Sequence, residues 1–372
     1  MRPIVILLLI GAGLVCCLLI VTTQTATGES PALQSNNGSY AYSSPEFRQL
    51  LDDSFRETGR GRAEGFYAWL SQANRAAAGR LSQGSKLPFD AQLARKKQEL
   101  SQAPNTSTRA KAEVATAVWL HKMVKVTIPR YSLERGFEFS NVMRRQERQC
   151  FSQSVLITAL LQEMGVNAGV VMINRNSRGR PTNNGHAVVL VKLADGKDLI
   201  VDASHREPFV RQQGLFVRAP GYLYVKPVYQ PGSSKISRYL LASGSGPLAT
   251  SKVQALDYDF VRSQFYYYRG ERAAGGLRTR SGLARMERQL KRSVALCPSN
   301  PLAVYLLGRV HLAKGDSQAA ARELSQAQRL YRQFGWVPSG VQQYLAQTRQ
   351  NSAILRTNTA QALRAGRIQF IS

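Results

Sequence analysis

The chain has 372 residues, 44% of them hydrophobic, which is enough for two domains or for one domain with helical additions and too apolar for a disordered protein. Fifty Lys and Arg against 23 Asp and Glu give a net charge of +27, so a positive field surrounds the molecule and its neighbours are expected to be anionic. The basic residues are spread out, as at Arg144, Arg145 and Arg148 or at Arg175, Arg178 and Arg180, with no zinc-finger spacing, RNP-like motif or arginine block. That argues against a nucleic-acid partner and for a basic surface facing anionic lipid or cell-envelope polymer.

Ile4 to Val21 form an uninterrupted apolar run after Arg2, longer than the h-region of a cleaved signal and close to the length that spans hydrocarbon. Residues 1–30 are therefore expected to be a signal peptide or an N-terminal membrane anchor, with Arg2 on the cytoplasmic side and the body exported to a periplasmic or other extracytoplasmic space. Cys16 and Cys17 lack the small preceding residue of a lipidation site and read as apolar filler. The body keeps only Cys150 and Cys297, too few for a disulfide framework.

Residues 31–45, rich in Ser, Asn, Gly and Tyr, read as a linker. Residues 46–109 read as an N-terminal helical region, since Phe47, Leu50, Leu51 and Phe55 recur at helical spacing, as do Phe66, Tyr67 and Leu70. A further helix carries Val114, Ala117, Val118 and Met123, and His121 within it reads as a structural histidine. From Cys150 to Met164 the chain is apolar on nearly every face, which predicts a central, enclosed helix, and Gly165 stops it.

A short strand follows at Ala168 to Ile173, then a basic loop, then strands at His186 to Leu193 and Asp198 to Asp202 joined by an Asp195-Gly196 turn. Counting back from that turn places His186 and Asp202 near the same end of the hairpin, within about three residues of register. Cys150 starts the helix, where unpaired backbone N–H groups favour a thiolate, and an imidazole and a carboxylate within reach complete a nucleophile triad. For the oxyanion, the backbone N–H of Cys150 and the side chains of Gln149 and Gln146 are the candidate donors. No cofactor and no metal site are expected. His205 reads as a loop histidine and His311 as a packing residue.

Beyond a Tyr-, Pro- and Gly-rich stretch, residues 246–372 turn helical again. Pro301 to Gly308, with Gly315, Ala320, Leu324 and Ala327, resembles a tetratricopeptide repeat, and a degenerate copy ending near Pro298 precedes it. The pair is expected to dock on the remaining chain or to bind a protein partner.

Three blocks in order, Cys150 with Ser154 to Ala168, Gly185-His186-Ala187-Val188-Val189, and Leu199-Ile200-Val201-Asp202-Ala203-Ser204, resemble the transglutaminase-like cysteine enzymes of the papain-type fold. The resemblance implies an α+β class in which a central helix packs on an antiparallel sheet, over residues 110–245, flanked by the N-terminal helices and the repeat-like segment. It implies Cys150 as nucleophile, His186 as base and Asp202 as orienting acid, acting on a peptide-type amide through a thioester. Where the family has Gly-x-Cys this chain has Arg148-Gln149-Cys150. The competing expectation is a catalytically inactive envelope scaffold that binds a protein partner through its helical repeats.

Overall fold

The computed structural model describes residues 39–350, apart from 60, 82–86, 245 and 349 and the side chains of 183 and 184. The expected anchor at 1–30, with Cys16 and Cys17, lies outside the described residues. Four helices lead the chain: α1 (Pro45–Thr58), α2 (Glu64–Ala77), α3 (Phe89–Ser101) and α4 (Thr106–Thr127). Ser44 and Asn105 cap α1 and α4 by accepting N–H bonds three residues on, as side chains of these types do at helix starts. A two-residue parallel pair, β1 (Arg130–Tyr131) and β2 (Glu147–Arg148), brackets α5 (Phe139–Arg145) and delivers the chain to α6 (Cys150–Glu163).

α6 is buried along its whole length from Cys150 to Leu161, as its all-round apolar sequence requires. Gln149 caps it, accepting from the Phe151 N–H at 3.0 Å, and Gly165 follows its end with φ +76°. The linker expected over 31–45 is corrected from residue 39 onward: this stretch is docked, not free. Tyr42 N–H bonds to Ala159 O at 3.0 Å, Tyr40 N–H to Gln162 Oε1 at 2.7 Å, and the Tyr40 and Tyr42 rings are buried. A tyrosine-rich segment has apolar area to bury, and a neighbouring helix end with free carbonyl and carboxamide groups gives it a place to do so.

Seven strands follow: β3 (Ala168–Arg175), β4 (Pro181–Lys192), β5 (Asp198–Val201), β6 (Gly214–Ala219), β7 (Gly221–Tyr229), β8 (Lys235–Leu241) and β9 (Pro247–Ala249). They are antiparallel in the order β5-β4-β3-β6-β7-β8-β9, and β5 also pairs with β8. β8 divides its outer edge, giving residues 235–236 to β5 and 238–240 to β9. The α+β class expected from sequence is therefore present, with the central helix against an antiparallel sheet. The papain-type core is not: the sheet closes into a six-stranded barrel.

Strand alternation explains the closure. Val170, Met172, Val189, Val191 and Val201 face the helices in one apolar cluster, while Val171, Ile173, Val188, Leu190, Ile200, Leu215, Val217 and Ile236 form a second cluster inside the barrel. A sheet apolar on both faces cannot leave either face in water, and closure covers the inner one. The seam carries a buried polar cluster. Lys192 Nζ lies 2.7 Å from Asp198 Oδ1 and donates to Thr250 O and Val253 O at 2.6 and 2.9 Å, while Tyr239 OH donates to Asp198 Oδ2 at 2.6 Å.

Four further helices, α7 (Tyr258–Glu271), α8 (Arg280–Leu296), α9 (Pro301–Ala313) and α10 (Ser317–Gln333), pair as two hairpins, and helical residues beginning at 339 follow them. Each hairpin meets at a glycine opposite a leucine. A Cβ on Gly270 would stand 2.7 Å from Leu290 Cγ, and one on Gly308 would stand 2.8 Å from Leu324 Cγ. The two hairpins are built alike, and they dock on α6 and the barrel. Phe265 of α7 packs on Phe151 of α6 at 4.8 Å between ring centroids, and Phe334 just after α10 packs on Phe216 of β6 at 5.4 Å.

Asp198→Ala leaves the Lys192 ammonium buried without its carboxylate, so denaturant unfolding is expected to show a loss of about 3–5 kcal/mol, whereas Lys192→Met with Asp198→Leu recovers most of it.

Candidate active site

Three elements converge on the predicted triad. Cys150 is the first residue of α6, His186 lies within β4, and Asp202 follows the end of β5. The β4–β5 register sets Val189 opposite Val201, which leaves Asp202 diagonal to His186 past the last pair. His186 Nε2 and Asp202 Oδ2 are 2.9 Å apart. With Nε2 committed to the carboxylate, Nδ1 is the nitrogen left for the thiol.

The carboxylate is fully engaged. Oδ2 also accepts from Gln212 Nε2 at 2.9 Å, and Oδ1 accepts from the Ser204 N–H at 3.0 Å. Behind it, Gln153 Nε2 donates to Ser204 Oγ at 2.7 Å, and Gln153 Oε1 accepts from Arg148 Nε at 3.0 Å. The helix that carries the nucleophile therefore also holds the loop that carries the acid. α4 braces the same loop, because His121 Nε2 meets His205 O at 3.2 Å and Lys125 Nζ donates to that carbonyl.

Burial alone would push the His186 pKa down. Hydrogen bonds to Asp202 and Cys150 and the charges of the same two groups outweigh it and raise the value to about 10. Burial likewise opposes ionisation of Asp202, yet the hydrogen bond and charge of His186, with the Ser204 N–H, hold its carboxyl below the ordinary value. The two shifts, His186 raised and Asp202 lowered, are complementary and favour an imidazolium paired with the carboxylate, with the Cys150 sulfur also drawing the ring towards protonation. Cys150 Sγ also lies 3.5 Å from Gly185 O, and the thiol is 3% exposed.

The oxyanion candidates separate. Gln149 is fully buried; its Oε1 is spent on the helix cap, and its Nε2 is sealed from solvent without a hydrogen-bond partner. Gln146, the other side-chain candidate, is an exposed residue that ends α5 at φ +52°, its N–H closing the helix on Val142 O. Cys297 is free, as is Cys150; burial pushes its thiol up to about 11 beside the Tyr222 hydroxyl. His121 is buried by α4 packing, His311 is buried within α9, and His205 accepts from the Glu207 N–H in its own loop. Among the described residues no group of His, Cys, Asp and Glu has the arrangement of a metal site.

Sequence reasoning missed the aromatic and polar surroundings. Tyr268 of α7 donates to Gly185 O at 3.2 Å, the same carbonyl the thiol approaches, and its ring stands 5.4 Å from that of Phe151. Gln212 and Tyr268 are remote in sequence and carry no motif. Gln153, one turn after Cys150, was the one signal available. A cavity of about 650 Å³ lies elsewhere, between Tyr42, Tyr67, Asp90, Leu93, Lys97 and Glu163, and is lined by no triad residue.

Since the Asp202 carboxylate supports the His186 imidazolium, Asp202→Asn is expected to lower the His186 pKa by about 1–3 units, read by NMR titration of labelled histidine. The sign for stability follows. A folded pKa of about 10 stabilises the fold fully below the unfolded value near 6.5 and is lost as pH rises towards 10, so the His186→Gln variant is expected to show a shallower decline across that window than the parent.

No family model matches the chain, and no curated protein matches it. Among solved structures, a crystal structure of menin revealing the binding site for Mixed Lineage Leukemia protein superposes with a TM-score of 0.30 at 10% identity, over 81% of this chain and 73% of that one. A likeness of that size carries no argument about fold or function.

Proposed function

We propose that the protein is a thiol enzyme of the transglutaminase-like class that acts on a peptide-type amide, with hydrolysis as the outcome. The observation that carries this reading is the His186 ring, fixed at 2.9 Å on Asp202 and drawn towards protonation by both Asp202 and Cys150. A structural thiol in an apolar helix has no need of a paired imidazolium.

In the proposed cycle the Cys150 sulfur attacks the amide carbonyl and the S–C bond forms. The carbonyl oxygen takes up negative charge next to the backbone N–H of Cys150, one of the first-turn donors that a helix leaves unpaired, and Gln149 Nε2 is the candidate second donor. The C–N bond breaks as the His186 imidazolium gives its proton to the departing amine. Water then attacks the thioester, His186 takes its proton, and the sulfur leaves with the acid released. An amine in place of that water would give transfer, using the same residues. Asp202 keeps the ring oriented throughout, supports its charged form before acylation and after water attack, and is not itself protonated.

An export site and an anionic envelope or membrane neighbour remain part of the proposal, on the apolar N-terminus and the charge of +27. Among the described residues no helix is long and apolar enough to cross a membrane. A second reading, an inactive scaffold that binds a protein through its helical hairpins, is favoured by one observation, the near-complete burial of the Cys150 thiol.

p-Nitrophenyl acetate separates the two. The enzyme reading expects a burst of nitrophenolate equal to the protein present, an acetyl thioester on Cys150 located by peptide mass, none with Cys150→Ala, and turnover slowed about 10²-fold or more by His186→Ala. A folded protein that gives no burst and keeps Cys150 unmodified is the scaffold.

A further inference from the structure

We infer that the mouth of the Cys150 site is an anion subsite built from Arg272, Arg148 and Tyr131, and that the substrate amide carries a carboxylate close to the scissile carbonyl. The inference rests on the proposed thiol chemistry and adds the charge of the substrate to it.

Arg272 follows Tyr268 by one helical turn. Its Cζ lies 4.3 Å from the centre of the Tyr268 ring and 5.2 Å from that of Phe137, so the guanidinium is one aromatic ring away from the Gly185 carbonyl that the thiol approaches. The side chain is 10% exposed and short of negative charge. Among the described residues Nη1 is buried with no hydrogen-bond partner, and Nη2 forms an ion pair with Glu271, an exposed carboxylate 3.5 Å away. A buried guanidinium ordinarily demands a close, forked carboxylate, and the bidentate Arg269–Glu138 pair on the same helix, at 2.6 and 3.0 Å, shows this chain supplying one.

Arg148, two residues before the nucleophile, is also without an acid among the described residues. It donates to neutral acceptors, Ile128 O at 2.6 Å and Gln153 Oε1 at 3.0 Å, and burial pushes its pKa down. Tyr131 is 52% exposed and pairs with Arg148 across the β1–β2 ladder; burial raises the pKa of its hydroxyl to about 12, and the charges of Cys150, Arg272, Arg148 and Asp202 act on it as well. The Asp202 charge is already matched by His186, which leaves the two arginines in excess. A substrate carboxylate entering over Tyr131 completes the Arg272 shell in place of Glu271 and places the neighbouring amide at the sulfur. Stacking on two rings holds the guanidinium plane fixed, which a lysine ammonium cannot reproduce.

Alkylation of Cys150 by iodoacetate and by iodoacetamide tests this, because the reagents differ in charge and little in size. Rates at neutral pH and low salt are read at Cys150 by peptide mass. The parent is expected to favour iodoacetate over iodoacetamide relative to a cysteine peptide. Arg272→Met lowers that preference about tenfold and leaves the iodoacetamide rate within about twofold, which also reports an intact site. Arg272→Lys, which keeps the charge and the stem, falls between. An unchanged preference in Arg272→Met, with iodoacetamide still labelling Cys150, overturns the anion subsite and leaves the thiol chemistry standing. Failure of both reagents at Cys150 in the folded parent overturns the thiol chemistry and the subsite with it.

Discussion

A fourteen-residue helix that is apolar on every side has to be enclosed, and the enclosure of α6 organises this protein. One flank takes the outer face of the barrel through β3 and β4, another takes the N-terminal helices, and a third takes the aromatic face of α7. Tyr40 and Tyr42 close what is left near the helix end. Cys150 is the first residue of this enclosed helix.

The same enclosure makes the site a product of several layers. The helix supplies the thiol and, through Gln153, a grip on the Ser204 loop; the barrel supplies the imidazole and the carboxylate; α7 supplies Tyr268 and Arg272. Polar groups in this dry setting are closely matched, since an unpaired one costs about 1–3 kcal/mol. Asp202 accepts three hydrogen bonds, from His186, Gln212 and Ser204. Gln149 Nε2 and Arg272 Nη1 are among the buried donors without a hydrogen-bond partner in the described residues, and both lie beside this site.

The helical hairpins do more than extend the chain. Glycine at the crossing lets α7 approach α8 and α9 approach α10, and the approach presents the α7 aromatic face to α6. Arg262 of α7 also reaches Asp53 of α1 at 2.8 Å, and with Arg56 this holds the Asp53 carboxyl below its ordinary value against the burial that would raise it. The first hairpin is thus also a wall of the candidate site, through Tyr268 of α7.

The sequence by itself determined what short-range chemistry encodes: the enclosed helix from Cys150 with its glycine stop, the Asp195-Gly196 hairpin, the near alignment of His186 with Asp202, and the glycine-bearing helix pair. Each rests on periodicity or turn residues within a few positions of each other. Tertiary structure alone decided the rest. Barrel closure depends on β5 meeting β8, a pairing of two residues that no local pattern announces. Docking of residues 39–44 depends on a helix end that lies more than a hundred positions away, and the tyrosines there read equally well as a tether until that surface exists. The surroundings of the thiol draw Tyr131 from β1 and Tyr268 with Arg272 from the end of α7, so their charge is a property of the folded surface, where the desolvation of one side chain is set by segments distant in sequence.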